Sequence, residues 1–153
     1  MALTQSESIE VRRINGKGRG VFARRPIRGG EVIERVPVLV LPVTEVKDGS
    51  GWDGLAGYCF DWGDGKLALA LGYGSLYNHS YRPNARYDDV GRRTKLFTAL
   101  RDITSGEEIT VNYNGDPEDR SPVGFEVIET TSPAGGLALN GKGRSCPPVP
   151  WRS

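Results

Sequence analysis

The sequence predicts a mostly β protein with little helix, and three observations carry that expectation. Glycine at 21 positions and proline at 10 break the 153 residues into short pieces. The apolar residues between them gather in runs rich in Val, Ile, Leu, Phe and Tyr, the types that suit a pleated, half-buried surface. No stretch repeats apolar residues at helical spacing for long enough to make an extended amphipathic helix.

The clearest strand candidates are residues 9–11, 21–23, 32–40, 66–71, 95–99 and 109–113, each bounded by turns containing Gly, Asp or Pro. Residues 26–33 make a polar turn that reaches Gly30 before Glu31 and a strand, and residues 103–109 repeat that plan with Gly106 and Glu107. The likeness reads as shared turn chemistry, not as a repeat. Residues 61–66, with Asp64-Gly65 inside them, predict a hairpin turn between Tyr58-Cys59-Phe60 and Leu67-Ala68-Leu69, because Asp-Gly reaches positive φ cheaply. That hairpin puts Tyr58 at a strand end. Arg92, Arg93 and Lys95 follow Asp88-Asp89 as a small basic cluster on a further hairpin, read as a solvated turn. A last strand is expected at Glu126-Val127-Ile128.

Residues 1–8 read as a flexible start. Beyond residue 128 the composition shifts to Thr, Ser, Pro, Gly and Ala, so residues 129–153 read as a disordered tail. A chain of 153 residues with 37% hydrophobic content supports one buried core, expected over residues 9–128.

Twenty basic against 19 acidic residues give a formal charge of +1, so no global field draws the chain onto nucleic acid or an anionic membrane. No basic start precedes an apolar run, and no segment approaches the apolar length that spans a bilayer. The expectation is a soluble, cytoplasmic protein with no direct nucleic-acid or membrane partner, nuclear or host-cell delivery being left open. Cys59 and Cys146 lie far apart in sequence and suggest neither a disulfide framework nor a zinc site, so no metal is expected.

Three motifs carry chemistry. The first is Gly16-Lys17-Gly18-Arg19-Gly20 followed by Val21-Phe22-Ala23. It lacks the GK[ST] ending of a phosphate loop, and a strand stands where a dinucleotide fingerprint would open a helix. The second is Tyr77-Asn78-His79-Ser80 with Pro83-Asn84-Ala85 close behind; the third is Gly106-Glu107-Glu108-Ile109-Thr110-Val111-Asn112-Tyr113. Taken singly they admit bland readings: a tight turn, a hydrogen-bonded structural histidine, a strand tyrosine. A Cys-His hydrolase would require Cys59 to meet His79, the one histidine, and Ser80 lacks a nucleophile elbow.

Together and in this order, the three motifs resemble the SET-domain protein-lysine methyltransferases, in a minimal form similar to viral and bacterial ones because no zinc-binding cysteine clusters flank them. The resemblance implies the SET fold, small twisted β-sheets around a pseudoknot-like crossing. It implies methyl transfer from S-adenosylmethionine to a lysine amine of a protein or peptide, a histone-like protein being one candidate. It assigns Tyr113 as the catalytic tyrosine, and Lys17, Gly18, Arg19, Asn78, His79 and Phe125 to the cofactor. It assigns Tyr58 and Tyr87 to the lysine channel, with Tyr73 as a further candidate.

Physical chemistry agrees with such a channel. Lysine, with an unperturbed pKa of about 10.4, arrives as an ammonium without the lone pair that attacks a methyl group. Dry aromatic walls disfavour the charged form, and a cationic sulfonium pushes the same way. Tyr instead of Phe at position 87 resembles family members that stop after few methyl additions. Where such small sequences offer an aromatic pair, this chain has Gly124 beside Phe125. An alternative for Phe125 is a plain anchor for the last strand.

The middle region, residues 44–71, is short, which implies an open substrate groove. Acidic Asp116, Glu118 and Asp119 suit a basic substrate flank better than Arg92 and Arg93 do. Minimal relatives are homodimers, which leaves a homodimer open here, with Trp52 or Trp62 as candidate interface residues. The competing reading is a catalytically inactive SET-like protein-binding module.

Overall fold

The computed structural model describes residues 6–47 and 54–129. The expected tail from residue 130 onward, Cys146 and the candidate interface residue Trp52 lie outside the described residues. Two antiparallel-dominated sheets make the fold. The four-stranded sheet has the order β1 (Ile9–Ile14), β2 (Gly18–Ala23), β9 (Glu108–Val111), β6 (Asn78–His79). The five-stranded sheet has the order β4 (Cys59–Asp61), β5 (Lys66–Ala70), β3 (Val32–Pro42), β8 (Thr94–Ala99), β7 (Ala85–Asp89). The described helix is confined to α1 (Val43–Val46) and two single 3₁₀ turns at Ala56–Tyr58 and Gly74–Leu76.

β3 is long enough to serve two partners. Its first half pairs with β8 and its second half with β5, and a register shift between Val32 and Glu34 bends it. Alternation decides which side chains meet. Lys95, Phe97 and Ala99 of β8 point inward while Thr94, Leu96 and Thr98 are half-exposed. The core joins both sheets through Ile9, Val21, Ile27, Phe97, Ile103, Ile109 and Val111, all 1% exposed or less.

The two look-alike turns are related in space as well as in sequence. Ile27 and Ile103 exchange backbone hydrogen bonds of 2.9 and 2.8 Å. In each turn a glutamate accepts a hydrogen bond from the backbone three residues back: Arg28 N–H to Glu31 Oε2 and Thr104 N–H to Glu107 Oε2, both 3.0 Å. The pair clamps the approach to β3 against the approach to β9.

β6 is the pivot of the crossing. Asn78 and His79 pair in parallel with Thr110 and Val111, the one parallel contact of the sheets described. The chain after β9 then returns across β6. Asn114 Nδ2 and the Tyr81 hydroxyl both donate to the Ser121 carbonyl, and Glu129 accepts from Ser80 Oγ at 2.6 Å and from Tyr81 N–H at 3.0 Å. This is the pseudoknot-like arrangement expected of the sequence.

Four local expectations change. The strand expected over residues 109–113 stops at Val111, because Asn112 turns its side chain onto the backbone, accepting from Asn114 N–H and donating to the Asp119 carbonyl. Glu126-Val127-Ile128 pairs with no described strand, since Glu129 fastens that segment to Ser80 and Tyr81 by side-chain bonds instead. Lys95 is not part of a solvated turn: Arg92 and Arg93 are exposed, but Lys95 lies two residues beyond Arg93 on the inward face of β8 and is 1% exposed. β7 was not expected, since its exposed Arg86 and Asp89 mask the alternation that buries Ala85. The turn at residues 61–66 forms as expected, with Gly63, Asp64 and Gly65 all at positive φ.

Candidate active site

The three motifs meet at the end of the four-stranded sheet. The hairpin between β1 and β2 needs Gly18 at φ +84°, a conformation that side chains with a Cβ rarely take. Gly20 answers a different need. A Cβ there would stand 2.8 Å from Asn78 Nδ2 and 2.9 Å from Glu108 Oε1. Into that space Asn78 Nδ2 donates to the Arg19 carbonyl at 2.9 Å and to Glu108 Oε1 at 2.7 Å. Lys17 adds a buried ion pair to Glu108 Oε2 at 3.2 Å. One carboxylate thus ties the first motif to the second and third.

His79 is 4% exposed. Its Nδ1 accepts the Tyr113 N–H at 3.0 Å, which puts the imidazole hydrogen on Nε2. Burial pushes its pKa down to about 4, so the ring is neutral at pH 7. Nε2 is buried and has no hydrogen-bond partner among the described residues. Phe125 stands edge-on to His79 at 6.0 Å and 6.1 Å from the Tyr113 ring, half-buried. The alternative reading of Phe125 as anchor of a last strand falls with the strand itself. Gly124 sits at φ +79°, a turn geometry that explains why no second aromatic stands there.

Tyr113 links this half to a cavity of about 190 Å³ on the other side. Its hydroxyl donates to the Tyr77 carbonyl at 2.8 Å, and its own carbonyl accepts from the Tyr87 hydroxyl at 3.3 Å. Tyr58, Phe60, Tyr77 and Tyr87 form aromatic walls of the cavity. Burial, with the charge of Asp89 adding to it, pushes the Tyr87 phenol up to about 12, so it stays a neutral donor. Tyr58 is 46% exposed and stands at the opening.

Tyr73 is not brought to this cavity; it packs against the main core beside Glu34. Trp62 also packs against the core. Asp116 and Asp119 are spent on local turns, accepting from Glu118 N–H and Ser121 N–H. The acids that line the cavity are Asp61 and Asp89. Cys59 donates to the Leu55 carbonyl, and burial pushes its thiol up, so neither its partner nor its ionisation suits a Cys-His nucleophile.

The SET domain family model matches residues 18–114, which contain the glycine turn in part and both later motifs in full. The chain belongs to the SET-domain family. A histone-lysine N-methyltransferase of Schizosaccharomyces pombe, described as H3 lysine-37 specific, is 37% identical over 106 residues, covering 69% of this chain and 72% of that protein. Human histone-lysine N-methyltransferase 2B is 35% identical over 127 residues, a match to 77% of this chain and 5% of the much longer relative. A crystal structure of a putative histone methyltransferase of Plasmodium falciparum superposes with a TM-score of 0.59 at 28% identity, covering 71% of this chain and 95% of that one. This SET domain is accordingly a lysine methyltransferase by family.

Four residues outside the sequence-predicted set also stand at the site. Asn84, 2% exposed, donates to Glu107 Oε1 and the Glu108 carbonyl and accepts from Thr110 N–H. Glu108 gathers Lys17 and Asn78, Tyr77 supplies the carbonyl that holds Tyr113, and Lys95 lines the cavity. Asn84 stood in the quoted Pro-Asn-Ala motif, and a polar residue between two apolar strands was a usable signal for a buried staple.

Proposed function

We propose that this SET domain transfers a methyl group from S-adenosylmethionine to the side-chain amine of a lysine in a protein. The observation that supports this most is the double role of Tyr113: its N–H reaches His79 on one side, and its carbonyl reaches the channel tyrosine Tyr87 on the other. The residues present fit the cofactor. A buried, unpartnered His79 Nε2 beside the half-buried ring of Phe125 is a donor awaiting an acceptor next to an apolar platform. Gly18 offers backbone without a side chain, and the Arg19 carbonyl is oriented by Asn78.

When bound, the cofactor supplies an electrophilic methyl group on a positively charged sulfur. The remaining work is positioning. The Tyr113 hydroxyl proton is engaged by Tyr77, so the phenol oxygen turns its lone pairs to an amine N–H and orients the attacking nitrogen. The tyrosine and phenylalanine walls take the aliphatic stem of the incoming lysine and exclude water, which favours the neutral amine. The Tyr87 hydroxyl, fixed on the Tyr113 carbonyl, occupies room that further methyl groups would need, which favours mono- or dimethyl product.

Calorimetric titration of S-adenosylmethionine into the wild type and Asn78→Ala tests the reading, followed by methyl transfer to core histones, the substrate class in the relatives' names. Binding by the wild type that falls at least tenfold in Asn78→Ala, with transfer lost in Tyr113→Phe, is the expected result. A folded wild type that binds no S-adenosylmethionine would instead favour a binding module without catalysis.

A further inference from the structure

Lys95 is among the largest of the fully buried side chains, at 1% exposure, and the proposed transfer does not use it. A buried lysine is expensive unless its charge is compensated. Here the ammonium lies 4.3 Å from the Phe60 ring centroid, 4.7 Å from Tyr87 and 5.3 Å from Trp62, and donates to Asp89 at 2.5 Å. Three aromatic faces and one carboxylate hold it as a cation. It lines the same cavity as Tyr113.

We propose that Lys95 is a resident cation of the lysine channel that keeps the incoming substrate amine neutral. The inference rests on the proposed transfer to lysine. Its physical basis is the arrangement of charge along the cavity. The two carboxylates of the lining, Asp61 and Asp89, belong to exposed residues, whereas Lys95 is enclosed. Asp89 is engaged by Lys95 and half in solvent, so Asp61 draws a substrate ammonium to the opening, and the amine then shares a low-dielectric space with the enclosed Lys95 cation, where it is more stable in its free form. The same principle activates lysines placed beside a second cation in other chemistries.

The groups facing Lys95 are few. From β7 come Tyr87 and Asp89, with Asp88 adjacent; from β4 and the turn before it come Tyr58, Cys59 and Asp61; across the cavity stand Tyr77 and Tyr113. From β3 the backbone partner is the apolar Val36, and Glu34 lies further along beside Gly72 and Tyr73. Burial lowers the Lys95 amine and Asp89 counters that, in keeping with a charge retained by its partner. The cage also explains Trp62, whose ring is committed to Lys95 and the core.

The test is the pH dependence of kcat for methylation of core histones, with histone and S-adenosylmethionine both saturating, by wild type, Lys95→Met and Lys95→Arg, with thermal melting as the folding control. Lys95→Met keeps the length and removes the charge; its acidic limb should move up by about one pH unit, a tenfold loss near neutrality that alkaline pH restores. Lys95→Arg should retain the wild-type limb. An unmoved limb in a folded Lys95→Met variant refutes the inference while leaving methyl transfer intact. A rate increase at every pH refutes it differently, marking Lys95 as an obstruction. Wild type that binds no S-adenosylmethionine and transfers nothing overturns the function reading and this inference together.

Discussion

Asn84 offers the sharpest test of how the site is held. Its side chain makes three buried hydrogen bonds: to Glu107 Oε1 at 3.0 Å, to the Glu108 carbonyl at 2.8 Å, and from Thr110 N–H at 2.9 Å. Asn84→Ala leaves the Glu108 carbonyl and the Thr110 N–H without that partner in residues that are each 6% exposed. At about 1–3 kcal/mol for each stranded buried group, the loss is about 4 kcal/mol. That is a large share of the roughly 5–15 kcal/mol by which a domain is stable. Urea denaturation at pH 7 reads it directly: with a slope of about 1.5 kcal/mol per molar, the midpoint should fall by about 2.5 M.

Asn84→Asp sharpens the comparison. It keeps an acceptor for Thr110 but points a second oxygen at the Glu107 carboxylate and the Glu108 carbonyl. Burial opposes ionisation of Glu107, yet hydrogen bonds from Arg101, Thr104 and Asn84 together hold its pKa below the usual range. The aspartate variant should therefore be no more stable than the alanine variant at pH 7. A midpoint shift under 0.5 M for Asn84→Ala at unchanged slope, roughly 1 kcal/mol or less, would refute the account of Asn84 as the staple between the second and third motifs.

Two further outcomes follow from the geometry. Burial pushes the Glu34 carboxyl up to about 7, so its contribution is intact below the ordinary glutamate value of 4.5 and is lost as pH rises through 7. Glu34→Gln should therefore gain about 2 kcal/mol on the wild type between pH 5 and pH 8, allowing for partial exposure, and thermal melts showing a constant gap would contradict it. Gly20→Ala should weaken S-adenosylmethionine binding at least tenfold by calorimetry, because the new methyl stands where Asn78 Nδ2 and Glu108 Oε1 meet; unchanged affinity would mean that this pair does not shape the pocket.

What the sequence reveals of this molecule depends on whether the cause is local. Turn chemistry at residues 61–66 and the alternation of β8 are local, and both are legible without coordinates. The ending of β9 is also local in cause, but it turns on the Asn112 side chain choosing its own backbone over the ladder, a competition that composition does not decide. The two-residue β6 has no periodicity to read, because its place is fixed by pairing with residues about thirty positions away. Lys95 shows the same limit. Beside Arg92 and Arg93 a lysine reads as surface charge, and only strand alternation together with three rings from other segments places it inside. The site motifs were legible because each carries residues whose combination is rare; the contact between Tyr113 and His79 that unites them is a property of the crossing.

The crossing also sets the order in which this protein can be made. β3, β4, β5, β7 and β8 pair only among themselves and are complete once Ala99 has been synthesised, so the five-stranded sheet can condense while the chain is still being translated. The four-stranded sheet cannot, for β2 waits for β9 and the Lys17–Glu108 pair joins residues 91 apart. Closing such a loop carries an entropic cost before any contact repays it, which slows the step. A nascent chain that has emerged only to about residue 105 would carry the aromatic cage around Lys95 but not the strand that brings Tyr113 to it, so the meeting of Tyr113 with His79 arrives with the last quarter of the described fold.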